Sequence, residues 1–277
     1  MKRALCVGIS NFQDPYVQPL DGCVNDIALM AAMLKRHFGF TSKGIRALAD
    51  ENATRAAILE ELEWFVDGAS QGDVLVFMLA THGTWVFERN EEGYPKIKPG
   101  GHDKIFMTYD YSNDYANPKG LLDKEVGGVL DRIPVGVNCY CIIDTCHAGV
   151  SSGMVVDGGM QCTVRYYPYS LNGKRQSAMQ MDKRDDGLAH YGVINRVVIS
   201  GCADKELSYD IPTEEGKHGL LTLSLYQALE KHSWNVAVDT VYQEVKSTVS
   251  TVANFLDVKQ TPQLHGDRSL MKNIIFR

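Results

Sequence analysis

Two residues of complementary chemistry stand just past the ends of apolar runs. Val137-Asn-Cys-Tyr-Cys-Ile-Ile143 leads through Asp144 and Thr145 to Cys146, and Asp73-Val-Leu-Val-Phe-Met-Leu-Ala80 leads through Thr81 to His82. A thiol attacks as its thiolate, and a neighbouring imidazole can take the thiol proton and later return it to a leaving amine. Gly83 follows His82, and a backbone N–H with no side chain beside it can approach a substrate oxygen and stabilise an oxyanion. The pattern points to nucleophilic acyl transfer. A random Cys and His are more often a packed thiol and a satisfied imidazole, so the weight rests on their shared position.

That position follows from the elements around them. Both runs are continuously apolar, as a strand covered on both faces must be, and open α/β sheets gather reactive residues at the carboxyl ends of their strands. Arg3 to Ile9 reads as a first buried strand and Val193 to Ser200 as another. Val24, Ile27, Ala28, Ala31, Leu34 and Phe38 recur at helical spacing, predicting a helix over Asp21 to Phe38 that stops at Gly39. Thr54 caps a second helix with Ile58, Leu62, Phe65 and Ala69 inward. Thr84 to Gly101 reads as an exposed hairpin or loop before Lys104 to Met107. Leu121 to Leu130, Leu220 to Lys231 and Val238 to Leu256 read as helices. The strand-helix alternation predicts an α/β fold with a mainly parallel sheet covered on both faces.

Composition fits one ordinary globular domain: 277 residues, 44% hydrophobic and 22% charged, with 28 Lys and Arg against 34 Asp and Glu for a net charge of −6. No basic block offers a footprint for nucleic acid or an anionic membrane. No apolar run approaches the ~20 residues that span a bilayer, and the opening run from Ala4 to Ile9 is too short for a secretory leader, so neither an anchor nor secretion by an ordinary signal is expected. The 7 cysteines are odd in number and show no disulfide-like spacing, so reduced thiols in the cytoplasm are expected. Cys139, Cys141, Cys146 and His147 do not make a zinc site, since Cys139 and Cys141, as alternate residues, share one face of an apolar strand and the sequence holds no CxxC pair.

With Leu20-Asp-Gly-Cys-Val-Asn-Asp26, Thr54-Arg-Ala-Ala-Ile58, Thr81-His-Gly83, Asp144-Thr-Cys-His-Ala-Gly149, Ile199-Ser-Gly-Cys202 and Gln260-Thr-Pro-Gln-Leu264, the chain resembles the metacaspases. These are arginine- and lysine-specific relatives of caspases and include the bacterial orthocaspases. The resemblance covers nearly the whole chain. It implies a caspase-like three-layer α/β/α sandwich forming one catalytic domain over 1–277. Residues 1–150 would be large-subunit-like, 151–191 a linker and 192–277 small-subunit-like. It further implies a cysteine endopeptidase with Cys146 as nucleophile, His82 as general acid and base, and the Gly83 and Cys146 N–H groups as oxyanion donors. Asp26 and Asp144 would line the S1 pocket with Cys23 in its wall, and two carboxylates there attract Arg or Lys. The rivals are a silent caspase-like scaffold and a related peptidase choosing Asn or Asp.

Some positions depart from the family. Ala80 stands where metacaspases carry a serine hydroxyl in the pocket, and Thr81 points to the opposite side of an extended backbone. Many metacaspases hold calcium in an acidic cluster, whose matching positions here are Asp103, Asp123, Lys124 and Gly153. An ammonium among them predicts an empty or weak site, with Asp110, Asp114 and Glu125 as neighbouring carboxylates. No organic cofactor is expected. The polar stretch from Ser151 to His190 carries Arg165, Lys174, Arg175, Lys183 and Arg184. The resemblance makes each a candidate self-cleavage site, while composition alone reads them as a solvated flexible loop. Asp204 is a weaker candidate in the substrate cleft. The expected partners are protein substrates with a basic residue before the scissile bond, with a separate activating protein also conceivable.

Overall fold

The computed structural model describes residues 1–87, 102–112, 120–146, 162–167, 170–171, 174–175, 195–203 and 206–277. In chain order the strands are β1 (Lys2–Gly8), β2 (Ile45–Ala49), β3 (Val74–Ala80), β4 (Gly83–Phe87), β5 (His102–Phe106), β6 (Leu121–Leu122), β7 (Asn138–Asp144), β8 (Thr163–Val164), β9 (Ser170–Leu171), β10 (Lys174–Arg175), β11 (Arg196–Ser200), β12 (Tyr209–Thr213), β13 (Gly216–Gly219) and β14 (Gln263–Gly266). The helices are α1 (Cys23–His37), α2 (Arg55–Val66), α3 (Asp123–Leu130), α4 (Leu220–Lys231) and α5 (Val238–Phe255).

Six strands make the central sheet in the order β14-β11-β7-β3-β1-β2, every neighbouring pair parallel except β11 with β14. Successive side chains of a strand face opposite sides, which explains why its buried strands show no polar alternation. Ala4 and Cys6 of β1, Val76 and Met78 of β3, and Tyr140 and Ile142 of β7 pack into one core with Ile27 and Leu34 of α1, Leu225 of α4 and Val241 of α5. Leu5, Val7, Leu75, Phe77, Cys139 and Cys141 face the other way, onto Ile58, Leu62 and Phe65 of α2 and Val126 and Leu130 of α3. The result is the expected three-layer α/β/α sandwich. The order of chain crossing reverses beside β1, and in such sheets the crevice at that switch point receives ligands.

Several sequence expectations need correction. α1 starts at Cys23 rather than Asp21, because the Asp21 and Gly22 N–H groups donate to Asp210 Oδ2 at 3.2 and 2.9 Å. Leu121 and Leu122, read as helical, form β6 against β5. The short strands β2, β12, β13 and β14 were not anticipated. Thr54 caps α2 as expected, its hydroxyl accepting the Ala57 N–H at 3.3 Å. Among the described residues no helix is long and apolar enough to cross a membrane.

Candidate active site and its buried arginine

The register of the sheet brings the two reactive residues to one level. β3 and β7 run side by side with Ala80 paired to Asp144, and His82 and Cys146 each follow two residues later. His82 is buried at 2% exposure, with the Phe12 ring stacked 5.3 Å away. Its Nε2 lies 2.7 Å from the Gln18 carbonyl oxygen; a carbonyl only accepts, so Nε2 carries the hydrogen. That leaves Nδ1 as the basic nitrogen, and it has no hydrogen-bond partner. Burial pushes the imidazole pKa down to about 4, so the ring is neutral at physiological pH. The Cys146 thiol donates to the Glu206 carbonyl oxygen at 2.9 Å, and Cys202 Sγ donates to that same oxygen at 3.2 Å. Gln18 and Glu206 act here through their backbone carbonyls, so neither had a side-chain signal in the sequence.

The largest departure from expectation is Arg165. Read as part of a solvated loop, it is in fact fully buried. β8 pairs antiparallel with β12, the Arg165 N–H donates to the Ser208 carbonyl at 2.9 Å, and Tyr167 N–H donates to Gly83 O at 3.0 Å. The Gly83 N–H in turn donates to the Arg165 carbonyl oxygen at 3.0 Å. The predicted oxyanion donor therefore already holds a peptide carbonyl.

Beyond that carbonyl, the Arg165 side chain enters a cage of three fully buried carboxylates, Asp26, Asp144 and Asp210. Nη2 is bonded to Asp26 Oδ2 and lies 2.6 Å from Asp210 Oδ1, Nε donates to Asp210 Oδ1 at 2.7 Å, and Nη1 lies 3.2 Å from Asp144 Oδ2. Nη1 also donates to the Asp144 carbonyl at 3.0 Å. Burial alone would lower the guanidinium pKa, but Asp144, Asp210 and their neighbours hold it well above the ordinary arginine value. Burial pushes the Asp26 carboxyl up, against the pull of Arg165 and the His218 hydrogen bond at 3.0 Å. Burial likewise raises the Cys23 thiol well above the usual range, in the field of Arg165 and the same three carboxylates.

Small residues leave room for this cage. A Cβ on Gly219 would come within 2.2 Å of Asp144 Oδ2 and 2.7 Å of Arg165 Nη2, so the glycine is what lets the two meet. The Gly219 N–H donates to both Asp26 oxygens at 3.1 Å. The hydroxyl missing at Ala80 is made up from elsewhere: Ser208 Oγ and Thr222 Oγ1 donate to Asp144 at 2.7 and 3.0 Å. Thr81 does not replace it, since its hydroxyl donates to the Met107 carbonyl at 2.7 Å. Asp210 and His218 escape the sequence reading because they lie in the short strands β12 and β13; Ser208 stands just before β12, and Thr222 lies in the predicted helix α4, where a buried hydroxyl has no signal of its own.

Other predicted positions are not drawn into the cleft. Lys124 Nζ lies 2.9 and 2.8 Å from the two Asp103 oxygens, and Asp123 Oδ1 accepts the Lys124 N–H at 2.7 Å. An ammonium on Asp103 does not fit a calcium site. Among the described residues no group of three or more His, Cys, Asp or Glu gathers to hold a metal ion. Asp110 accepts the Arg55 N–H and Glu125 pairs with the Arg55 guanidinium. Lys174 and Arg175 lie in β10, paired through the backbone with β9. Asp114, His147, Gly153, Lys183, Arg184 and Asp204 lie outside the described residues.

Both the sequence and the fold are similar to those of known proteins. The chain is 26% identical over 263 residues to Metacaspase-1 of Arabidopsis thaliana, covering 91% of this chain and 66% of that protein. It is 28% identical over 265 residues to Metacaspase-2 of the same plant, covering 91% and 57%. The chain thus spans two thirds or less of the length of these relatives. Its fold matches a solved protein of Geobacter sulfurreducens at TM-score 0.69 and 19% identity, covering 99% of this chain and 98% of that one. It matches Caspase-1 of Spodoptera frugiperda at 0.60 and 12%, covering 96% and 86%. A sequence profile of the caspase domain aligns with residues 1–272, from β1 through the cleft to the last turn after β14, and the chain belongs to the caspase-domain family.

Proposed function

We propose that the chain is a cysteine endopeptidase that cleaves proteins after Arg or Lys, and that it processes itself after Arg165. The observation that carries this reading is the pose of Arg165: its guanidinium sits among Asp26, Asp144 and Asp210 while its carbonyl sits on the Gly83 N–H. A substrate arginine would be recognised by the same carboxylates and its carbonyl polarised by the same donor.

In this mechanism His82 Nδ1 takes the Cys146 proton, and the thiolate attacks the carbonyl carbon of the basic residue. The oxyanion rests on the Gly83 N–H, with the Cys146 N–H as the second donor implied by the resemblance. Collapse breaks the C–N bond, and the departing amine takes the proton from His82. His82 then draws a proton from water, whose oxygen displaces Cys146 from the thioester and regenerates the thiol. Gln18 fixes the tautomer throughout by holding Nε2–H. The thiol must first leave the Glu206 carbonyl to reach His82. No step calls for an organic cofactor, and the Lys124 ammonium on Asp103 supports action without calcium.

The engagement of the thiol by Glu206 favours one alternative, a form that binds a basic peptide without cutting it. Fluorogenic peptides with Arg, Lys, Asp or Asn before the scissile bond, each with calcium or chelator, separate the two. Turnover after Arg or Lys that Cys146→Ala abolishes, with an intact-mass product ending at Arg165, is the expected result. Silence on every peptide with an uncut chain would leave the binding reading standing.

A further inference from the structure

The three carboxylates around Arg165 do not grip the same atoms. Asp26 and Asp144 reach only the terminal Nη nitrogens, whereas Asp210 Oδ1 also accepts from Nε at 2.7 Å. Atom for atom along the side chain, lysine carries a methylene where arginine has Nε, and its one nitrogen stands where arginine has the guanidinium carbon. A lysine in this pocket would turn a CH2 group toward Asp210 Oδ1 and leave that oxygen without its Nε–H partner. The carboxylate cannot swing away to follow the ammonium. Its other oxygen is held by the Gly22 and Asp21 N–H groups at 2.9 and 3.2 Å, and the residue is fully buried. Arginine sets two donors on Oδ1, Nε at 2.7 Å and Nη2 at 2.6 Å, whereas lysine offers a single ammonium and water is excluded from making up the second bond.

We infer that Asp210 is the specificity-determining residue that makes the pocket select arginine over lysine. The inference rests on the reading of the cleft as a basic-residue peptidase site and sharpens it to one substrate class. A buried acceptor that fits a forked pair of donors discriminates against an analogue that carries only one of them.

The test uses two peptides identical but for Arg or Lys before the scissile bond, cut by the full chain and by Asp210→Asn. The wild type should favour Arg by at least about tenfold in kcat/KM, and Asp210→Asn should cut the Arg value about tenfold more than the Lys value, mainly through KM. An unchanged Arg-to-Lys ratio would overturn the inference. Should the Asn variant not fold, Asp210→Glu, which keeps the charge but displaces it by one methylene, carries the same ratio test.

A second measurement needs no turnover. In a Cys146→Ala background, Arg165→Lys should lower the thermal midpoint, and the drop should shrink markedly when Asp210→Asn is added. Coupling there with no cleavage of either peptide would sink the peptidase reading and leave Asp210 as the arginine selector. Cleavage of both peptides at equal rates with additive midpoints would do the reverse.

Discussion

Asp210 and Gly22 fix each other across 188 residues of sequence: the Gly22 N–H donates to Asp210 Oδ2 at 2.9 Å, and a Cβ on Gly22 would fall 2.7 Å from Asp210 Oδ1. The loop ahead of α1 and the strand β12 are thus locked together at the floor of the cleft. Gly22→Ala must push the carboxylate aside and should cost roughly 1–3 kcal/mol, as overpacking of a tight interior does. Gly128, inside α3 with nothing within 4 Å of its notional Cβ, is the control. Gly128→Ala should be neutral or stabilising by up to about 1 kcal/mol. Urea melts of the two variants check the contrast, and equal losses would contradict it.

His82 makes stability depend on pH in a stated direction. Its pKa is pushed down to about 4 by burial, whereas an unfolded histidine titrates near 6.5. Between those values the unfolded chain binds a proton that the folded chain refuses, so this contribution is complete above pH 6.5 and is lost as pH falls toward 4. Wild type should therefore lose about 2 kcal/mol more than His82→Asn between pH 7.5 and pH 5. Denaturant titrations at the two pH values measure it, and parallel losses would argue against a neutral, desolvated imidazole.

The Arg165 guanidinium is held by three buried carboxylates, and removing such a partner is expensive. Arg165→Gln should lower stability by about 3–5 kcal/mol, the cost of stranding a buried charge. Agmatine, a guanidinium on a short alkyl chain, should raise the thermal midpoint of Arg165→Gln far more than that of the wild type. A variant as stable as wild type and indifferent to agmatine would mean that the cage is not held by charge.

Calcium sensitivity is predicted from Lys124. With its ammonium on Asp103, wild type should show the same melting temperature in millimolar calcium and in chelator. Lys124→Asp removes the ammonium and adds a carboxylate beside Asp103 and Asp123, and its melting temperature should rise with calcium. A calcium-dependent rise in the wild type would refute the expectation.

The sheet and the reactive pair were legible because buried parallel strands are long, apolar and punctuated by the residues that matter: Val74–Ala80 and Asn138–Asp144 announce His82 and Cys146 without any knowledge of packing. The pocket was legible only by half. Asp26 and Asp144 stand in recognisable motifs, but Asp210 sits in a five-residue strand containing Pro212, whose pattern does not read as a strand. Arg165 misled for a related reason. It lies in polar, glycine-rich sequence of the kind that forms solvated loops, and its burial depends on three carboxylates from distant segments, which no local pattern encodes.

The pocket draws Asp26 and Asp144 from before the basic stretch and Asp210 and Gly219 from after it, while β7 and β11 lie hydrogen-bonded side by side across that same divide. A chain cut anywhere between Lys183 and Asn195 would leave two fragments sharing one sheet and one cage of charges. They should migrate apart under denaturing conditions yet elute together as a noncovalent heterodimer under native ones. Scission in that stretch is expected to change covalent connectivity while the paired strands and the shared cage of charges hold the fragments together.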